Sequence, residues 1–350
     1  METREQALSA TAFRDVTYPQ LNLHDFTLDD NLSTSEPLLS ECTQSCADLG
    51  VLEVLPLEII HRLLVRLDLR SLTDFRRANR RATEIVSTIP QYKAITTYAR
   101  NALRGSLIIG TGQFFSCETL YAKLCTAEGD QCGDFGGYLY LLTCARVCFL
   151  CLSEDNRFLP LRYSDATRKF GVPRHILNTL PHMKSIPGSY CTYSPNGKKV
   201  RDRVTLVDSE SAYHAGIMLY GSLKVMEEYV ANQADYKLRK YNERLSLTTT
   251  ENPGSTARYE RQTRIKDGFD RRAGNPIRFV SIVRTPWLNR SSQQPEWGFY
   301  CVGCRKGSRN RVLHWRRRFN KASFSTHLEL CGDIRDGKHC KQCISESAPE

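Results

Sequence analysis

A regular pattern of apolar positions first appears near residue 49. An apolar stripe repeats every four residues, which is typical of one face of an amphipathic helix, and it consists of Leu55, Ile59, Leu63 and Leu67 with Ile60 and Leu64 beside it. Pro56 suits the first turn, where its missing N–H costs nothing. Asp68 and Asn79 precede two further apolar groups, so each is predicted to cap another helix, the last of which ends at Pro90. Three short helices are therefore predicted.

The remaining pattern divides the chain into further segments. Residues 1–48 are polar without periodicity, which predicts a disordered acidic tail. Residues 93–234 mix short apolar runs with Gly and Pro turns, which predicts a mixed α/β, cysteine-rich domain. A flexible basic insertion at 235–275 precedes a strand at Ile277 to Val283. The predicted segments are 1–48, the helical module at 49–92, 93–234, 235–275, the strand-containing cysteine-rich part at 276–335, and a tail at 336–350.

Charge and cysteine content narrow the class of protein. Residues 1–54 hold ten acidic and two basic side chains, a net charge of −8, so the other residues carry +19 of the chain's total of +11. The chain has 14 cysteines and no N-terminal secretory signal, which indicates a reducing compartment, cytoplasmic or nuclear. The longest apolar run, Tyr138 to Leu152, is too short to span a bilayer and contains Arg146. We expect a soluble protein.

The stretch LPLEIIHRLLVRLDLRSLTDFRRANRRATEIVSTIP resembles the F-box in both order and spacing. Helices this short cannot bury their apolar stripes among themselves, so a partner surface is expected. The resemblance implies that the partner is the Skp adaptor, which connects F-box proteins to a cullin scaffold and a RING ubiquitin ligase. It assigns the adaptor contact to Leu55, Pro56, Ile59, Leu63, Leu67 and Leu72. The alternative is an ordinary helical bundle packed against the following domain.

The chain beyond residue 92 resembles a group of fungal F-box proteins. The residues that carry this likeness include CGDFGGYLYLLTCARVCFLC, LPLRYSDATRKFGV and PWLNR followed by WGFYCVGC. The resemblance covers about residues 50–335 and implies a substrate receptor whose protein target is unknown. We predict an α+β fold with an N-terminal three-helix F-box followed by a mixed α/β body. Bound zinc is expected to stabilise this body, and a disordered insertion is expected to interrupt it.

A first cysteine constellation lies near the C-terminus. Cys301 and Cys304 form a C-x-x-C pair, which supplies two of the four ligands of a tetrahedral zinc site. His327 and Cys331 follow and are four residues apart in a predicted helix, so they share one face. We predict a structural zinc site from these four residues. Cys340 or Cys343 could replace one of them, and His339, Cys340 and Cys343 could instead form a separate cluster or a loose tail.

A second constellation consists of Cys132 with the pair Cys148 and Cys151. Its spacing suits a two-knuckle zinc site if a fourth ligand is found. Proteins that this chain resembles often have a cysteine three residues before Cys132, where this chain has Gly129. Cys125 or Cys144 would have to complete the site. The alternative is that these cysteines are reduced thiols in an apolar core.

The basic run near the C-terminus and the absence of complete enzyme motifs indicate the class of function. Residues 305–321 carry eight Lys or Arg with two aromatic residues, which suits nucleic acid or an acidic protein segment, and the predicted surface is Arg305, Lys306, Arg316, Arg317 and Arg318. Kinase and phosphate-loop motifs are incomplete, so no enzyme is predicted. We expect a non-catalytic substrate-recognition subunit of an SCF-type ubiquitin ligase. The alternative is a zinc-dependent nucleic-acid-binding regulator.

Overall fold

The computed structural model describes residues 13–21, 25–33, 49–190, 198–249, 275–306 and 313–340. In these ranges the chain is mixed α/β, with small antiparallel sheets and thirteen α-helices. The helices are α1 Leu57–Leu64, α2 Leu69–Arg76, α3 Arg80–Thr88, α4 Pro90–Tyr98, α5 Arg100–Ile109, α6 Cys117–Leu124, α7 Phe149–Glu154, α8 Tyr163–Phe170, α9 Arg174–Leu177, α10 Ser209–Tyr220, α11 Leu223–Thr249, α12 Val302–Lys306 and α13 Lys321–Cys331.

Short strands pair into six small sheets in the described ranges. The strands are β1 Thr17–Tyr18, β2 Tyr138–Tyr140, β3 Ala145–Val147, β4 Leu161–Arg162, β5 His182–Lys184, β6 Gly188–Tyr190, β7 Lys198–Val200, β8 Thr205–Val207, β9 Ile282–Arg284, β10 Trp287–Leu288, β11 Pro295–Glu296, β12 Phe299–Cys301, β13 Arg318–Phe319, β14 Ile334–Arg335 and β15 Lys338–His339. The three-stranded sheets have the orders β1-β12-β13, β3-β2-β9 and β4-β8-β5, and the pairs are β6-β7, β10-β11 and β14-β15. Every pairing among them is antiparallel.

The helices of residues 57–88 begin where their caps predict. The backbone amide of Ser71 donates to Asp68 Oδ1 at 2.9 Å, and that of Ala82 donates to Asn79 Oδ1 at 2.7 Å. Each carboxylate or amide oxygen satisfies an N–H that has no partner within its own helix. Pro56 immediately precedes α1. The predicted caps Asp68 and Asn79 are therefore confirmed, whereas Pro56 lies just before the first turn of α1 and not within it.

One large apolar core joins these helices to the body. Side chains from α1 to α7 pack in it with those of β2, β3 and β9, and its fully buried members include Leu72, Leu103, Leu139 and Val283. Strand β2 is the middle strand of its sheet, with Leu139 opposite Arg146 on one side and opposite Val283 on the other. Two smaller cores lie under α8, α10 and α11, and around β12 and α13. The helical module and the body thus share one interior.

Part of the acidic N-terminal region is folded onto the body. Strand β1 pairs with β12, and Leu28 is fully buried. Asp25 pairs with Arg316, and Asp29 Oδ2 accepts from the backbone N–H of Arg284 at 2.7 Å. The prediction of disorder for residues 1–48 is therefore wrong for residues 13–21 and 25–33, and its remainder lies outside the described residues. The reason is charge complementarity with distant arginines, which a local sequence window does not contain.

The buried ion pair between Asp25 and Arg316 gives a stability prediction. Arg316 is 1% exposed, and its guanidinium lies over the Phe149 ring. We expect Asp25→Asn to lower the free energy of unfolding by about 3 kcal/mol, because the substitution takes the negative charge away from a buried cation. Urea denaturation measures this. As a control, Glu84→Gln removes an exposed partner of Arg80 and should cost about 0.5 kcal/mol or less. Equal losses of stability in the two variants would contradict a larger contribution from the buried Asp25–Arg316 pair.

The predicted insertion begins with a helix. Helix α11 continues to Thr249, so the prediction of a flexible segment at 235–275 is wrong for residues 235–249, and residues 250–274 lie outside the described ones. Residues 223–249 contain neither Gly nor Pro and many strong helix formers, which explains a long helix without a marked apolar stripe. Among the described residues, no helix is both long and apolar enough to cross a membrane.

The C-terminal part is more ordered than its pattern indicates. A short 3-10 turn at Pro276–Phe279 precedes β9, so the predicted strand at Ile277 to Val283 covers a turn and the start of a strand. Residues 334–339 form the hairpin β14-β15. The prediction that the tail begins at residue 336 is therefore wrong for the hairpin, while residues 341–350 lie outside the described residues.

Candidate functional site

Helix α1 has apolar side chains on two faces. Ile60 and Leu64 point into the large core and are 6% and 5% exposed. Ile59 and Leu63 lie on the adjacent face, about 100° around the helix, and are 40% and 53% exposed. Further exposed apolar side chains lie in the preceding turn and at the start of α1, and we call the whole set the outer apolar face: Val51, Val54, Leu55, Leu57, Ile59 and Leu63. Groups of exposed large apolar side chains are typical of surfaces that bind partner proteins.

The predicted adaptor residues fall into two groups in the structure. Leu55, Pro56, Ile59 and Leu63 are exposed. Leu67 is partly buried against the large core, and Leu72 is fully buried in it. The assignment of Leu72 to the adaptor contact is therefore corrected, because α2 directs this side chain inward. The exposed group alone is available to a partner.

This division predicts that similar substitutions at the two kinds of position change stability by very different amounts. We expect Leu72→Ala to lower the free energy of unfolding by about 2 to 5 kcal/mol, because it removes buried methyl groups and leaves a cavity. Leu63→Ala should change it by less than about 1 kcal/mol, since this side chain is largely in solvent. The midpoints of chemical denaturation compare the two variants. A larger loss of stability from Leu63→Ala than from Leu72→Ala would contradict the burial of these two side chains described above.

Four side chains near the C-terminus converge on one point and form what we call the four-ligand cluster: Cys301, Cys304, His327 and His339. His327 Nε2 lies 3.3 Å from Cys304 Sγ and 3.2 Å from His339 Nε2. His339 Nε2 lies 3.2 Å from Cys301 Sγ. Zinc bonds of ~2.3 Å to sulfur and ~2.0 Å to nitrogen place tetrahedral ligand atoms roughly 3.3 to 3.8 Å apart. The donor set and its spacing therefore fit a metal ion such as zinc.

Local structure orients these ligands. Cys301 ends β12, Cys304 lies in α12, His327 lies in α13 and His339 ends β15. The Nδ1 of His339 lies 3.0 Å from the Gly332 carbonyl oxygen, a contact that orients the ring with Nε2 toward the other three ligand atoms. A side chain at position 303 would collide with the His339 ring, because a Cβ there would lie 2.8 Å from Nε2. The glycine between the two cysteines is thus needed for the close approach.

The electrostatics of the cluster suit a cation. A hydrogen bond from the Cys304 thiol, aided by the imidazoles, lowers the pKa of Cys301 to about 2, so this sulfur is a thiolate at neutral pH. Burial lowers the pKa of His327, which keeps the imidazole neutral. A thiolate and a neutral imidazole are the forms that bind a metal ion.

The prediction of Cys331 as the fourth ligand is corrected to His339. Cys331 is disulfide-bonded, so it has no thiolate to offer, and its Sγ lies 3.4 Å from Nδ1 of His327, whereas the other ring nitrogen, Nε2, faces the cluster. Cys331 is one helical turn beyond His327, so it lies on the same face but behind the ring. His339 approaches from the β14-β15 hairpin instead. The sequence signal for this ligand is the histidine beside Cys340, but spacing alone is equally compatible with a separate cluster or a loose tail.

A second group, which we call the three-cysteine cluster, contains Cys132, Cys148 and Cys151 and could hold a metal ion. The Sγ atoms of Cys132 and Cys148 are 3.5 Å apart. Cys148 caps α7 and accepts a hydrogen bond from the backbone N–H of Cys151 at 3.3 Å, a compact C-x-x-C turn. Hydrogen bonds from the Cys148 and Cys151 thiols lower the pKa of Cys132 to about 3. The predicted association of these three residues is confirmed.

Neither predicted fourth ligand belongs to the three-cysteine cluster. Cys125 follows α6, and its carbonyl oxygen accepts from Trp287 Nε1 at 3.2 Å. Its side chain hydrogen-bonds with Tyr121 and Arg290. Cys144 is fully buried in the β2-β3 turn, where burial raises its pKa to about 12. The prediction that Cys125 or Cys144 completes the zinc site is therefore corrected. Cys125 belongs to the end of α6, and Cys144 is a thiol of the core.

The predicted basic surface is mostly turned inward. Arg316 pairs with Asp25, Arg317 pairs with Asp134, and Arg318 Nε donates to the Tyr300 hydroxyl at 2.7 Å. Arg305 is exposed beside the Tyr18 ring, while the side chain of Lys306 lies outside the described part. The interpretation as an open anion surface is wrong for the three consecutive arginines, because each already has partners within the protein.

Comparisons with known proteins were negative. No family model matches the chain. No curated protein and no solved structure matches it. The functional interpretation therefore rests on the geometry of the outer apolar face and of the two clusters.

Proposed function

We propose that this chain is a non-catalytic substrate-recognition subunit of an SCF-type ubiquitin ligase. The observation that carries the proposal is the outer apolar face, which exposes Ile59 and Leu63 while Ile60 and Leu64 on the adjacent face of the same helix are anchored in the core. An anchored helix that keeps apolar residues in solvent suits a preformed docking surface, because little ordering is lost on binding. The F-box-like order of residues 55–90 makes a Skp-type adaptor the proposed occupant.

The body is proposed to hold the target protein. Helices α1 to α3 share a core with the body, so a target bound to the body would be held at a defined distance from an adaptor bound to α1. Fixed proximity raises the effective concentration of the target near the ligase without catalysis by this chain. The proposed role of zinc at the four-ligand cluster is structural, because four protein donors complete a tetrahedral set.

A zinc-dependent nucleic-acid-binding protein remains the second candidate, and it has less support. Its binding surface would be the basic run, but Arg316, Arg317 and Arg318 pair within the protein. A phosphate backbone would have to compete with Asp25 and Asp134 for two of these side chains. The proposed adaptor function needs no such rearrangement.

Reconstitution tests the proposal. The full chain is mixed with a purified Skp-type adaptor and separated by size-exclusion chromatography at low and high salt. We expect a one-to-one complex that persists in high salt, because the contact is apolar. Separate elution of the two proteins would contradict the adaptor function. Binding to DNA or RNA that weakens steeply with salt, in the absence of adaptor binding, would favour the second candidate.

A further inference from the structure

The three-cysteine cluster is built on two turns of similar spacing, only one of which carries two cysteines. The first turn is closed by a hydrogen bond from the Gly129 N–H to the Asp134 carbonyl oxygen at 2.7 Å, and it presents Cys132. The second presents Cys148 and Cys151, three residues apart. Position 129 stands three residues before Cys132, where a second ligand of the first turn would lie, and it is a glycine.

The backbone at Gly129 lies against the cluster. A Cβ at this position would be 3.5 Å from Cys132 Sγ and 3.4 Å from the backbone nitrogen of Cys148, which are ordinary contact distances. The glycine therefore leaves a space next to the sulfurs that a small side chain would fill. Cys132 is exposed and Cys148 is buried, so the cluster reaches solvent on its Cys132 side.

The neighbouring polar groups are engaged elsewhere. The Asp134 carboxylate pairs with Arg317, and the Cys125 side chain hydrogen-bonds with Tyr121 and Arg290. The cluster consists of three candidate ligands in the described residues, whereas the other cluster has four. With these three ligands from the described residues, a metal ion that prefers four has one coordination position open to a ligand from solution.

We propose that the three-cysteine cluster binds zinc through three thiolates and accepts a small thiol from solution as an exchangeable fourth ligand beside Gly129. A soft thiolate suits an ion already bound by sulfur. The chain would then carry one permanent and one exchangeable metal ion. This inference does not depend on adaptor binding.

Metal transfer from the full chain tests the proposal. The zinc-loaded protein is mixed with a chromophoric chelator, and we expect two equivalents to be released, one about ten-fold or more faster than the other. Cys132→Ser should remove the fast equivalent and leave the slow one. Gly129→Cys should keep both and slow the fast one at least about ten-fold, because it supplies the fourth thiolate. Gly129 has no positive φ, so the backbone accepts a side chain.

Gly129→Ala is the matched control, since it fills the space without a donor atom and should leave the fast release unchanged. In the Co²⁺-loaded protein, 2-mercaptoethanol should increase the sulfur-to-cobalt charge-transfer absorption, and Gly129→Cys should abolish this response. The proposal is overturned by release of both ions at one rate, by a single bound equivalent, by equal slowing in Gly129→Ala and Gly129→Cys, or by an absorption that ignores the added thiol.

Discussion

Replacing Ile59 and Leu63 together by Asp is expected to weaken binding to a Skp-type adaptor by at least about 100-fold. Each side chain exposes much of its apolar surface in the free protein. Fully burying such a side chain contributes about 1.5 to 3 kcal/mol, so the 40% and 53% that these two still expose are together worth about 1.4 to 2.8 kcal/mol. A 100-fold change corresponds to ~2.7 kcal/mol. A carboxylate in a dry interface adds a desolvation cost. Titration calorimetry with purified adaptor measures the effect.

The matched control places charges on exposed apolar residues elsewhere. Met218 in α10 and Leu238 in α11 are 85% and 53% exposed, so Met218→Asp with Leu238→Asp changes charge and hydrophobicity equally. This double variant should bind the adaptor like the wild type. Circular dichroism must show unchanged helicity in both variants, because α1 also contributes to the core. Unaltered affinity in a folded Ile59→Asp, Leu63→Asp protein would remove the proposed docking surface.

Loss of metal from the four-ligand cluster is expected to unfold the C-terminal part of the chain. Cys304→Ser takes away a ligand whose sulfur lies within 3.5 Å of both His327 and His339. Structural zinc can contribute on the order of 10 kcal/mol of apparent folding free energy. The apolar core around the cluster is small, with Phe319 and Phe324 as its largest fully buried members, so it cannot replace this contribution. We expect one equivalent of zinc to be lost and residues 299–340 to become protease-sensitive.

Cys340→Ser provides the control for that substitution. Cys340 is exposed and lies next to His339, but it is not part of the four-ligand cluster. Its substitution should therefore leave the zinc content and the protease resistance unchanged. Zinc content measured by mass spectrometry would contradict the geometry if Cys340→Ser lost an equivalent and Cys304→Ser did not.

Local signals in the sequence were sufficient for the helices of residues 57–88. The four-residue apolar spacing and the caps Asp68 and Asn79 act within a few residues, so a single window contains all the forces that start each helix. The same spacing could not tell which apolar side chains face the core. Leu63 and Leu67 belong to one stripe, yet the first is exposed and the second is partly buried, because the packing of the helices on the body determines which side chains are covered.

Long-range contacts explain why the predictions for the N-terminal region and for the fourth ligand are wrong. Asp25 is ordered by Arg316, which is 291 residues away, and His339 reaches the cluster through a hairpin that follows α13. Cys–x–x–Cys spacing identified two ligands in each cluster because that geometry is local. The remaining ligands depend on how separate elements pack. Helix α11 was missed for a different reason: its helix-forming composition was visible, but it has no strong apolar stripe.

Hydrogen–deuterium exchange with and without the adaptor tests the central claim most directly. If the outer apolar face is the docking site, the adaptor should slow amide exchange in residues 50–66, which contain the turn Gly50–Val54 and α1. Residues 69–88 should change little, because their apolar side chains are already buried in the core. Protection confined to other elements, or no protection anywhere at a saturating adaptor concentration, would contradict the proposed function.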